Sequence, residues 1–433
     1  MASNAVVALA KATINGQTLL GQNCDRPHRK CQPLSCTPGR ALAAGEKVKT
    51  QNLELPQVRQ VYRVLASQPD GCLGYDYGLN EHQVAVAWTI LRPVLPAPGP
   101  GLMGPDLVRL VLERSRTALQ AVEVATSLIE RYGSGEKNSA ITSPDGDNAF
   151  LIADPKEAYA VESAGRHWVY QDVREVRALT NARVVRQDWD RISQGLASHA
   201  IEQGWWPGDG SKLDFAGALK EDLGDQSDAM HRWGRATLLL QEQNGHIDVP
   251  FLRMLLSDHY DEGGASEDRR TLENDQRSLC QHWGTNGSGT SASLISRLSS
   301  DPASLPMAWC AFGPPCANVY FPVFLDGDIP SALVEKDPEP EGNRFHRRIH
   351  FRMRQLPRDR ESCLEIRAVL DRLQARFDQE AEEFTTEGAS LKKRDMREEL
   401  QRQATFFMQY HLEQFEGALA ELQAARQAPA LSL

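Results

Sequence analysis

The residues of this chain best placed to do chemistry stand near its start. Ser3-Asn4 opens an apolar run from Ala5 to Ala10, and a second run, Thr18-Leu19-Leu20-Gly21, ends in Gln22-Asn23-Cys24-Asp25-Arg26-Pro27. Asn15-Gly16 stands between the two runs. An Asn-Gly pair tolerates positive φ at both central turn positions, so the spacing predicts a β-hairpin. Such a hairpin gathers the start of the chain, a carboxylate and a guanidinium in one neighbourhood. A terminus frays unless something ties it down, and an amine held at a strand end invites a chemical role.

Other stretches compete as reactive sites. Cys31-Gln32-Pro33-Leu34-Ser35-Cys36 and Asp258-His259-Tyr260-Asp261-Glu262 each carry metal-ligating side chains. Pro33 makes the first a surface loop or a broken edge strand. The second lacks regularly spaced partners, and a solvated loop is favoured over a metal site. Trp205-Trp206 reads as a pair of core anchors around a turn rather than a pocket wall. Cys24 sits in a strand beside Asp25, and packing is favoured for it over a role as displaced nucleophile.

The motifs downstream of the hairpin follow in a recognisable order. These are Gly78-Leu79-Asn80-Glu81-His82, Gly104-Pro105-Asp106-Leu107-Val108-Arg109-Leu110, Asn148 to Asp154, Val161-Glu162-Ser163-Ala164-Gly165, Leu179-Thr180-Asn181, Gly204-Trp205-Trp206 and Gly289-Thr290-Ser291-Ala292-Ser293. With Gly21 to Pro27, this series resembles the secernin branch of the dipeptidase family of N-terminal-nucleophile hydrolases, over roughly residues 3 to 325.

The resemblance implies a chemistry. In that family the side chain of the first residue attacks an amide carbonyl, and its own α-amine serves as base. Aligning the hairpin puts Ser3 where the family has cysteine, so a weaker acid replaces a thiol. Removing Met1 exposes Ala2, and one further cleavage frees the Ser3 amine. By the same resemblance, Asp25 orients the amine, Asn80 and Asn181 act as oxyanion and amine-orienting donors, and Gln22, Asn23 and Arg26 contact substrate. Related hydrolases carry a cation at the position of Gln22. The expected function is a dipeptidase or related hydrolase of small peptides or N-acyl amino acids, without metal or other cofactor. The alternative is a catalytically silent relative that binds a peptide-like ligand or protein partner. A third reading makes the C-terminal helices an interaction surface.

The elements that must position these residues are legible as patterns. Val58 to Val64 and Gln83 to Ile90 read as strands. Pro105 to Arg131 reads as one or two amphipathic helices, opened by a proline and stopped by Gly133 and Gly135. Asn148 to Asp154 and Ala158 to Val161 form a second hairpin-like unit, and Val169 to Val185 adds two strands. Trp189 to Ile201, Leu213 to Leu240 and Val249 to Leu256 are helical. Thr290 to Leu298, Met307 to Phe312 and Val319 to Leu325 are late strands. With no regular β-α-β alternation, the fold class is α+β with antiparallel sheets; the resemblance implies two stacked sheets between helical layers.

Composition shifts after Leu325. Asp337 to Gly342 is an acidic Pro-rich linker, and a basic run from Arg344 to Arg354 follows. Glu361 to Phe384 and Leu391 to Ala424 predict two amphipathic helices joined near Gly388 as a hairpin. Residues 1–335 are therefore assigned to the hydrolase-like domain and 336–433 to a helical extension. The whole chain has 433 residues, 41% apolar, with a net charge of −10. That acidity disfavours nucleic acid as a partner, no apolar stretch spans a bilayer, and scattered cysteines suit a reducing, cytoplasmic setting. A small peptide or amino-acyl substrate and a possible homo-oligomer complete the expected partners.

Overall fold

The two short apolar runs near the start form β1 (Ser3–Ala8) and β2 (Thr18–Pro27), which found the first of two large sheets. A computed structural model describes residues 3–27, 32–95, 99–135, 146–219, 227–259, 277–282, 288–334 and 360–427. Cys31, the loop after Tyr260, the acidic linker and the basic run lie outside the described residues. The two strands pair antiparallel with Ser3 opposite Cys24 and Asn4 opposite Asn23. The connection is longer than a two-residue turn. It carries a 3₁₀ turn at Ala10–Ala12, and Gly16 alone supplies the positive φ, at 64°.

The first sheet runs β14-β1-β2-β16-β17-β18, adding β14 (Val176–Leu179), β16 (Ser288–Leu298), β17 (Met307–Ala311) and β18 (Phe321–Phe324). The second runs β15-β13-β12-β11-β10-β9-β8-β3. Its members are β3 (Leu34–Thr37), β8 (Val64–Ser67), β9 (Tyr77–Asn80), β10 (Ala85–Leu91), β11 (Asp147–Ala153), β12 (Ala158–Ala164), β13 (His167–Asp172) and β15 (Arg191–Ile192). Every pairing in both sheets is antiparallel. Two short ribbons, β4 (Arg40–Ala41) with β7 (Gln60–Val61) and β5 (Lys47–Lys49) with β6 (Glu54–Pro56), flank it.

The second sheet shows which way each side chain faces. Along β10, Ala85 and Ala87 join the core shared with the first sheet, whereas Val86 and Trp88 join the core under α1 (Gly104–Arg114) and α2 (Ala118–Tyr132). Period-two alternation produces this split. The inner face mixes small residues, including Ala149, Ala153, Ala158 and Ala160, with larger ones such as Leu79, Leu151 and Tyr77. The outer faces carry larger side chains that meet helices. Because both faces of the first sheet are covered, β1 is buried at every position.

On the far side of the first sheet lie α5 (Ser227–Glu242), α6 (Val249–Leu256) and the long pair α8 (Arg360–Lys393) and α9 (Arg397–Gln427). Smaller helices among the described residues are α3 (Gln194–Glu202), α4 (Phe215–Ala218) and α7 (Ser331–Val334). The result is α+β, two antiparallel sheets between helical layers. The long pair turns at Arg394–Met396, where Asp395 has φ 55°, and not at Gly388. Gly388 lies inside α8, where a Cβ would sit 2.5 Å from Leu305 Cδ1. Phe377 and Phe415 pack on Phe321, and Phe384 and Phe407 pack on Phe324, so the pair covers β18. Among the described residues no helix is long and apolar enough to cross a membrane.

Candidate active site

Ser3 begins β1 and is 8% exposed. Its backbone N–H donates to Asn181 Oδ1 at 2.8 Å. Asn181 follows β14, the neighbour of β1 in the sheet, and its Nδ2 donates to the Ile90 carbonyl of the other sheet at 2.9 Å. The loop that carries it is fixed from several sides. Thr89 Oγ1 donates to the Thr180 carbonyl and Thr180 Oγ1 to the Ala229 carbonyl. Buried Glu162 accepts from the Val184 and Val185 amides, while Arg183 pairs with Asp147.

Two residues beyond Asn23 on β2, Asp25 lies on the face of the sheet turned to α5 and α6. Thr290 Oγ1 donates to Asp25 Oδ1 at 2.7 Å, and that hydroxyl in turn accepts from the Gln281 amide at 3.0 Å. Asp25 Oδ2 is buried and takes no hydrogen bond from the described residues. Burial pushes the carboxyl up to about 7, against the opposing pull of Thr290 and Arg232. Ser3 is level with Cys24, and in an antiparallel pair the Ser3 nitrogen lies on the Asp25 side of that level. A buried acceptor with one open oxygen therefore sits diagonally across from this nitrogen.

Arg232, 3% exposed, was not singled out by the sequence reading. It reaches in from α5, donating through Nε to Asn4 Oδ1 at 2.9 Å and through Nη2 to Asn181 Oδ1 at 3.2 Å. Asp25 is the leading charge that supports it against burial. Arg232 stands on the buried stripe of α5 with Ala229, Ala236 and Leu240. An arginine at an apolar-face position was the available signal, since charged side chains are rarely buried unpaired. Gln22 supplies no cation to the site, and the buried guanidinium near Asp25 comes from α5.

Three expected site residues are engaged elsewhere. Gln22 points between the sheets, giving Nε2 to the Trp88 carbonyl at 2.7 Å and accepting from the Trp88 amide at 3.0 Å. It is a tie between sheets, with both ends of its amide used. Asn23 donates from Nδ2 to the Leu256 and Leu279 carbonyls, both at 2.8 Å, beneath α6. Asn80 donates to the Leu112 and Ser115 carbonyls and accepts from the His82 and Val84 amides. It holds a turn and the end of α1, with no donor left for an oxyanion. It also bonds the Val84 end of β10, whereas Asn181 bonds Ile90, six residues on, about 20 Å of extended chain.

Arg26 ends β2 on the inter-sheet face and pairs with Asp76, which also accepts from Gln32 Nε2 at 2.8 Å. Cys24 is fully buried, and burial together with Asp76 drives its thiol well above the usual range. A thiol kept protonated is a poor nucleophile, so the packing role fits it. A cleft of about 410 Å³, lined by Thr13, Gln17, Leu19, Arg253 and Asp378, lies at the opposite end of β2 and touches none of these groups.

No protein-family model matches the chain. Solved structures similar to it include a Cys-to-Ala variant of the conjugated bile acid hydrolase of Clostridium perfringens, at 14% identity and TM-score 0.41, covering 76% of this chain and 95% of that one. The penicillin V acylase of Agrobacterium tumefaciens is similar at 13% identity and TM-score 0.41, covering 74% and 86%. An N-acylethanolamine-hydrolyzing acid amidase orthologue of Caenorhabditis elegans is similar at 12% identity and TM-score 0.33, covering 67% and 91%.

Proposed function

We propose that this chain is an amide-bond hydrolase of the N-terminal-nucleophile type, acting on small peptides or N-acyl amino acids, with Ser3 as nucleophile once the peptide bond before it is cut. The observation that carries this reading is the hold of Asn181 on the Ser3 nitrogen, with the open oxygen of Asp25 diagonally opposite. Cutting the preceding bond turns an amide N–H into an amine of ordinary pKa about 7.7–8.0. That amine keeps Asn181 as acceptor and gains Asp25 as a second one. Oriented so, it takes the proton from the Ser3 hydroxyl as the oxygen attacks the substrate carbonyl. It returns that proton to the leaving amine, and water then hydrolyses the acyl-serine ester by the same route. Arg232 keeps Asn181 turned with its oxygen toward the Ser3 nitrogen.

A second reading, a silent relative that binds a peptide-like ligand, is favoured by one observation: Gln22 stands where related hydrolases carry a cation and is spent on the backbone of Trp88. The two readings separate in one experiment. The chain is released from a cleavable leader so that it begins at Ser3, and is given dipeptides and N-acyl amino acids. Hydrolysis with an acyl adduct on Ser3 by mass spectrometry, both lost in Ser3→Ala, supports the hydrolase. Saturable binding with no hydrolysis above the Ser3→Ala background supports the silent relative.

A further inference from the structure

Four side chains outside this site converge from three separate stretches of chain. His259 follows the C-terminal end of α6, Cys280 and His282 lie in the segment 277–282, and Cys316 sits in the 3₁₀ turn Pro315–Ala317 after β17. One donor atom from each lies within 4.8 Å of every other. His259 Nε2 is 3.0 Å from His282 Nε2, and that nitrogen is 3.2 Å from Cys316 Sγ and 3.9 Å from Cys280 Sγ. Cys280 is buried and the other three are half-buried.

The three distances, from 3.0 to 3.9 Å, bracket those between the ligand atoms of a metal cage. A tetrahedral zinc ion with Zn–S near 2.3 Å and Zn–N near 2.0–2.1 Å separates its ligand atoms by roughly 3.3–3.8 Å. Two imidazole nitrogens that only shared a proton would need no thiols beside them, and two thiols closing on each other would need no imidazoles. Two thiolates and two neutral imidazoles neutralise a dication, which suits a site with little access to water. Soft sulfur with imidazole in a four-sided set points to zinc and away from magnesium or calcium. All four positions come from protein, so no coordination site is left for a substrate, the mark of a structural ion.

We propose that His259, Cys280, His282 and Cys316 bind one structural zinc ion. Spacing along the chain does not single out this set: only Cys280 and His282 are close in sequence, and the metal reading weighed for the stretch around His259 gives way there to a solvated loop. The ion staples the segment 277–282 to the end of α6 and to the turn after β17. That segment stands directly behind Asp25. The Leu279 carbonyl accepts from Asn4 Nδ2 at 3.1 Å and Asn23 Nδ2 at 2.8 Å, and the Gln281 amide donates to Thr290, the partner of Asp25. Cys280 and its neighbours thus hold up one wall of the hairpin's polar face.

The test is metal content of the full chain, purified from zinc-replete cells under reducing conditions without a polyhistidine tag. About one zinc per chain is expected by elemental mass spectrometry, falling at least tenfold in Cys280→Ser/Cys316→Ser and unchanged in Cys36→Ser. Because the double serine variant can fail to fold, the wild-type chain carries a second readout. After chelation it should take up about one equivalent of cobalt and develop the visible absorption of a tetrahedral thiolate site. Zinc-free wild-type chain that also develops no cobalt spectrum overturns the proposal. So does zinc retained in a folded double variant, or a Cys280–Cys316 disulfide in protein freshly isolated under reducing conditions. None of these readouts depends on hydrolysis, so the zinc site stands or falls apart from the proposed activity.

Discussion

At the scale of single residues, a hydrogen-bond inventory decides roles that residue types leave open. Asn181 and Asn80 are the same side chain in two turns, yet only Asn181 meets the Ser3 nitrogen. Asn80 spends both donors on carbonyls that end α1. The motif order pointed to Ser3, Asp25 and Asn181 and could not rank them against Gln22 and Asn80, because hydrogen-bond partners far along the chain are invisible in sequence. Arg232 was hidden for the same reason, on a helix more than 200 residues from β1. Asp25 supplies a prediction with a definite sign. Its carboxyl titrates near 7 in the folded chain against an ordinary value of 3.8, so the folded state holds the proton more tightly than the unfolded one. Stability contributed by this group therefore falls as pH rises from about 4 to about 7 and is level above that. Asp25→Asn should gain on the wild type across that window, read as the difference between urea midpoints at several pH values. A difference that does not change with pH would remove the raised carboxyl from the account.

At the scale of elements, the strands were legible where a short apolar run is bounded by turn residues, as in β10, β11 and β17. Connections were less so. The Asn-Gly pair signalled a reversal, but a 3₁₀ turn lengthens the loop. The helix break moved from Gly388 to Asp395 because Gly388 is small for packing and not for turning. A related packing constraint fixes the start of α1. A Cβ at Gly104 would lie 2.0 Å from the Trp88 indole and 2.5 Å from Asn148 Oδ1, the atom that accepts the indole N–H. Trp88 is also the residue whose backbone holds Gln22. Gly104→Ala should therefore destabilise the chain by roughly 1–3 kcal/mol, despite alanine's higher helix propensity. A denaturation midpoint equal to the wild type would show that α1 can shift away from β10 without cost.

At the scale of the whole molecule, α8 and α9 form part of the helical layer over the first sheet. Their amphipathic pattern was legible in sequence, but not the surface it covers, since the matching aromatic residues of β18 lie in a different part of the chain. Phe377 is fully buried against Phe321, and Phe377→Ala should cost about 3–5 kcal/mol, measured by denaturant unfolding. A chain cut after Val334 should expose the aromatic face of β18 and bind a hydrophobic dye or aggregate. A truncated chain that stays monomeric, with the wild-type unfolding midpoint, would mean the pair contributes nothing to the fold. Within this frame the proposed chemistry depends on a single covalent fact, whether the Ser3 nitrogen is an amine. The most direct measurement is N-terminal mass spectrometry of active, untagged protein, fractionated so that hydrolysis is assayed on the same material. The account predicts that hydrolysis follows the fraction of chains beginning at Ser3. Hydrolysis carried equally by chains in which Ser3 is still acylated would contradict it.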